Sequence, residues 1–138
     1  MASYRSAPVF MCRTQFSVTQ QVDNTRLMAE GTLAIAFSGN RLHLTFDGMA
    51  QQDKARYMIL RDIMLELTPA DAGPDSYQIR SKKINASPED NLPPTIAASI
   101  TPGVSSPGGY LTIVQPGPHF LSIGNDDMPL YGCRDSQQ

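Results

Sequence analysis

The chain is short of charge, histidine and cysteine, and it has no long apolar run. Charged residues make up 17% of its 138 residues, and the net charge is only −2. No cluster of lysine or arginine exceeds the pair Lys82-Lys83. A nucleic-acid footprint needs a basic face, so this balance argues against nucleic acid as a partner. No stretch approaches the roughly 20 apolar residues of a membrane span, and no apolar core of a signal peptide is visible. Residues 1–8 read as a disordered N-terminal segment or an expression remnant. The two histidines, His43 and His119, lack metal-ligand spacing, so neither a metal nor a cofactor is expected.

The only two cysteines, Cys12 and Cys133, sit near opposite ends of the chain. Neither belongs to a CxxC pair or has a histidine beside it. A bond between them closes a loop over nearly the whole molecule and, in the chain-entropy model, constrains the unfolded state by roughly 4–5 kcal/mol. It also demands an oxidising compartment. The other reading is two unrelated buried thiols in a cytosolic protein, since free cysteine packs as a small core residue.

What is present suits a β-rich domain. Apolar residues reach 41%, with 11 prolines and 10 glycines as turn formers. From Phe10 to Val18 the even positions Phe10, Cys12, Phe16 and Val18 are apolar, with Arg13, Gln15 and Ser17 between them. Leu27, Ala29, Leu33, Ile35 and Phe37 repeat that period, as do Leu42, Leu44 and Phe46. Ser38-Gly39-Asn40 is a hairpin signal. Over Arg56–Thr68 a long strand competes with a helix across Asp53–Leu67. The strand is favoured because the polar residues do not gather on one helical face. Tyr77 and Ile79 open a further strand toward Ile84, and Pro93-Pro94 starts a short helix within Asn91–Ser99. Three short apolar runs follow, the last of them Leu130–Cys133. One domain over residues 9–134, with a tail at 135–138, is expected as a small antiparallel barrel or sandwich. Its last strand returns beside its first.

Chemistry is sparse. His43 lies on a polar strand face and His119 in a turn. Ser106-Pro107-Gly108-Gly109 lacks the ending of a phosphate loop, and no GxSxG elbow occurs. Asn125-Asp126-Asp127 offers oxygens without the remaining spacing of a calcium loop, and reads as a turn. Arg61 is more pointed: it shares strand parity with Tyr57, Ile59, Ile63 and Leu65, so it faces the apolar side. A guanidinium there needs an anion, either a ligand or a structural carboxylate. Phe16, Phe37, Phe46 and Tyr57 fall on the same inward faces, and with Arg61 they form the candidate ligand pocket or a filled core.

Several segments together resemble the FidL-like family of enterobacterial inner-membrane proteins. They are Cys12-Arg13-Thr14-Gln15-Phe16, the Gly31–Phe46 hairpin, Tyr57–Leu67, Asp90-Asn91-Leu92-Pro93 and Pro129-Leu130-Tyr131-Gly132-Cys133. The likeness spans about residues 10–134. It implies a Cys12–Cys133 bridge and a mainly β, lipocalin-like barrel, formed by an antiparallel meander with one short helix. It also implies the periplasmic part of a protein anchored in the inner membrane by a helix that this sequence does not contain. The role implied is that of a ToxS-like, non-enzymatic partner of a membrane-anchored, ToxR-like transcription regulator in virulence regulation, with a bile acid as a candidate shared ligand. The alternative expectation is a stand-alone periplasmic carrier of a hydrophobic ligand. A third, a hydrolase, needs a nucleophile and a base in one cleft.

Overall fold

The computed structural model describes residues 9–22, 24–71, 73–100, 109–124 and 129–135. Expectations for residues 1–8, Ser106-Pro107-Gly108, Asn125-Asp126-Asp127 and residues 136–138 lie outside that set. The described chain forms eight antiparallel strands in one sheet, ordered as they occur in sequence. These are β1 (Phe10–Val22), β2 (Thr25–Ser38), β3 (Arg41–Gln52), β4 (Ala55–Pro69), β5 (Ser76–Ala86), β6 (Tyr110–Gly117), β7 (Phe120–Gly124) and β8 (Pro129–Arg134). A short helix, α1 (Pro94–Ile100), lies between β5 and β6. An antiparallel bridge between Cys12 and Asp135 brings the last strand back to the first. The meander therefore curls into a nearly closed barrel.

Alternation decides each wall. On β2 Leu27, Ala29, Leu33 and Ile35 are buried; on β3 so are Leu42, Leu44 and Phe46. The ambiguous segment is the strand β4. Ile59, Ile63, Leu65 and Leu67 are buried on one face, while Met58 and Glu66 stand exposed on the other. A helix would have scattered these apolar residues around its circumference. Three two-residue connections join β1 to β4, as the closing pairs Val22↔Thr25, Ser38↔Arg41 and Gln52↔Ala55 show. Each contains a residue at positive φ, namely Asn24 (67°), Gly39 (60°) and Asp53 (55°), which matches the twist of tight hairpins.

One pair of glycines lets two long strands approach closely. Gly31 and Gly48 lie directly opposite each other on β2 and β3. A Cβ on Gly31 would strike the Asp47 carbonyl, and one on Gly48 the Glu30 carbonyl, so neither place admits a side chain. Phe16 pairs with Gly31 from the β1 side, and Ile59 with Gly48 from the β4 side. Leu92, Ile96 and Ile100 bring α1 and its approach into the same core.

Candidate functional site: interior cluster, buried ion pair and outer wall

Of the side chains singled out above, the fold brings Phe16 and Phe46 together. Their rings meet edge-on at 5.4 Å. Tyr131 completes the cluster at 6.4 Å from Phe16 and 6.1 Å from Phe46. Its hydroxyl donates to the Ile100 carbonyl at 2.9 Å, tying β8 to the end of α1. Burial pushes the Tyr131 phenol up to about 12. Sequence reading missed Tyr131, although it shares strand parity with Cys133 and so points inward with it. Phe37 belongs to a separate pair, with Tyr77 at 6.0 Å. Tyr57 is half-buried against the core.

Arg61 has its anion within the chain. Its Nε donates to Asp90 Oδ2 at 2.9 Å and its Nη2 to Oδ1 at 2.7 Å, a bidentate pair. Asp90 also accepts from the backbone N–H of Leu60 at 2.8 Å and of Leu92 at 3.0 Å. Its side chain is 1% exposed and that of Arg61 13%. Burial alone would raise the Asp90 carboxyl, but the hydrogen bonds from Arg61, Leu60 and Leu92 outweigh it and hold it below its ordinary value. Asn91 adds a mimic of strand pairing, its Oδ1 accepting from Met58 N–H at 2.7 Å. The segment before α1 is thus strapped to β4 by side chains where β5 has ended.

Cys12 and Cys133 are disulfide-bonded, with Cα atoms 5.9 Å apart. The bond spans the seam between β1 and β8. Among the described residues no group of three or more His, Cys, Asp or Glu side chains could hold a metal ion. No described helix is long and apolar enough to cross a membrane.

The outer wall is unusual in its methionines. Met11, Met28, Met49 and Met58 are 53%, 49%, 41% and 47% exposed. Met64, the remaining described methionine, faces outward opposite His43. Met49 and Met58 are direct cross-strand partners. Two shallow grooves of about 540 and 520 Å³ run over the same wall and share Ala36 and His43. The first is edged by Arg41, Met64, Glu66 and Arg80; the second by Met11, Arg13 and Thr45. His43 Nε2 stands 3.4 Å from Asp62 Oδ1 without making a hydrogen bond, while Thr45 Oγ1 donates to that oxygen at 2.8 Å. His119 is a solvent-facing turn residue beside Asp135, at 3.5 Å. Compared with known proteins, the chain matches no family model, and no curated protein matches it.

Proposed function

We propose that this domain is a non-enzymatic binding module, the periplasmic partner of a membrane-anchored, ToxR-like transcription regulator. In that role it stabilises the regulator and helps it sense an amphipathic molecule such as a bile acid. The methionine wall carries this reading. Three thioether side chains at about half exposure, Met28, Met49 and Met58 on β2 to β4, give an unbranched, polarisable surface that repacks against a partner. Exposed apolar patches of this kind mark interaction sites on proteins that otherwise bury their large side chains. The disulfide supports an oxidising, periplasmic setting, and the resemblance to FidL-like proteins supports the identity of the partner. Sequestering a ligand between two chains also agrees with an interior in which Phe16, Phe46 and Tyr131 already pack on one another.

The test is light scattering after size exclusion, with the domain mixed with the periplasmic domain of the regulator encoded beside it. A one-to-one complex is expected, weakened about tenfold or more by Met28→Lys with Met58→Lys. No complex, with or without bile acid, overturns the reading in favour of an independent carrier.

A further inference from the structure

A second surface has different chemistry. β6 meets β5 only over Ser76–Gln78, through Ser76↔Thr112, Tyr77↔Leu111 and Gln78↔Tyr110. Ile79 N–H then donates to the Gly109 carbonyl at 2.8 Å. From Ser81 to Ala86 the ladder continues on the β4 side, and every residue from Arg80 to Ala86 is exposed. Among the described residues, nothing hydrogen-bonds the other edge of that stretch.

The register fixes which groups are open. Ser87 N–H donates to the Leu60 carbonyl at 2.9 Å and Asn91 N–H to the Met58 carbonyl at 3.2 Å, so even-numbered β4 residues bond toward the β5 side. Alternation extends this to Asp62, Met64 and Glu66, whose partners are Asn85, Lys83 and Ser81. Lys82, Ile84 and Ala86 therefore turn their own N–H and C=O groups outward. The register shift at Glu66/Leu67 leaves Arg80 as the extra residue that sets this phase.

Side chains add a charge and a shape. Arg80, Lys82 and Lys83 supply three of the chain's 11 basic residues, and β5 contains no acid. Lys82 and Ile84 pair with Leu65 and Ile63 and so share the inner face, yet Ile84 is 44% exposed where those two are buried. A second copy is a poor occupant, because it would bring a second set of Arg80, Lys82 and Lys83 to an edge that contains no acid. We infer that the Arg80–Ala86 edge accepts an extended segment of an acidic partner chain as an added strand. An apolar side chain of that segment covers Ile84 on the inner face, and its carboxylates face Lys83 on the outer one. This deepens the partner reading, on which it rests, by naming a docking edge and the chemistry the partner must bring to it.

The probe is a blocked peptide of about ten residues alternating valine with glutamate, titrated into the isotopically labelled domain and followed by amide chemical shifts. Shifts centred on Arg80–Ala86 are expected. Lys82→Glu with Lys83→Glu should weaken binding about tenfold or more. Ile84→Pro should abolish it at unchanged fold, since it removes an outward N–H and no ladder bond. The inference is overturned by shifts centred on the methionine wall, or by equal binding of a valine–lysine peptide. Slow hydrogen exchange at Lys82 and Ile84 in the free domain overturns it as well, because the chain's own backbone would then occupy the edge. If the regulator's domain binds while the peptide leaves β5 unshifted, the partner reading stands and this edge is refuted.

Discussion

Asp90 holds more of the structure than its place between β5 and α1 suggests. It accepts four hydrogen bonds, from Arg61, Leu60 and Leu92. Asp90→Ala strands a guanidinium that is mostly buried, and urea unfolding should show a loss of about 3–5 kcal/mol. Replacing both partners, with Arg61→Met and Asp90→Ala, should recover much of that loss. The pH dependence follows from the depressed carboxyl. Its contribution is complete above the unfolded-state value of about 3.9 and is lost as pH falls through the lower folded-state value. Asp90→Asn should therefore flatten the acid limb of the stability curve. Tyr131 acts at the other extreme: a phenol raised to about 12 stabilises fully below about 10 and loses its contribution as pH rises toward 12. Ultraviolet titration should find a late-ionising tyrosine that Tyr131→Phe removes. The inward direction of Arg61 was legible from strand parity. Its anion was not, because Asp90 lies 29 residues away in a segment with no periodicity.

Among the elements, β2 and β3 depend on the facing glycines. Gly31→Ala or Gly48→Ala sets a methyl group against a carbonyl that belongs to the ladder itself. Each should cost about 3 kcal/mol or more, as overpacking that the backbone cannot relieve. Gly39→Ala meets nothing in space, and its strain comes from φ alone. A loss of about 1 kcal/mol is expected there, so thermal melts of the three variants should separate the two kinds of glycine. The hairpin at Ser38-Gly39-Asn40 was readable from its residue types. The close approach at Gly31 and Gly48 was not, because only the register places them opposite each other. β4 was readable as a strand because its polar residues do not gather on one helical face, and α1 because Pro94 suits a first helical turn. The stretch of β5 beyond Gln78, which β6 does not pair among the described residues, escaped sequence reading, since it depends on the extent of the β5–β6 ladder.

The whole molecule is held by neighbour-to-neighbour pairing closed by one covalent bond. The disulfide joins residues 121 apart, so Cys12→Ala with Cys133→Ala should lower stability by roughly 4–5 kcal/mol in the chain-entropy account. Amide exchange should rise first along β1 and β8, the seam the bond spans. Strand number, antiparallel order and the return of the last strand were all legible from alternation and turn residues. An expectation of what the barrel touches came only from resemblance, because outward side chains obey no periodic constraint from the core. Because every strand pairs with its sequence neighbours and a bridge returns Asp135 to Cys12, the architecture is a nearly closed ring whose two chain ends meet at one seam. A circular permutant that joins residues 9 and 135 by a short linker, and opens the chain between Gly39 and Asn40, should fold to the same barrel with new ends at the β2–β3 hairpin.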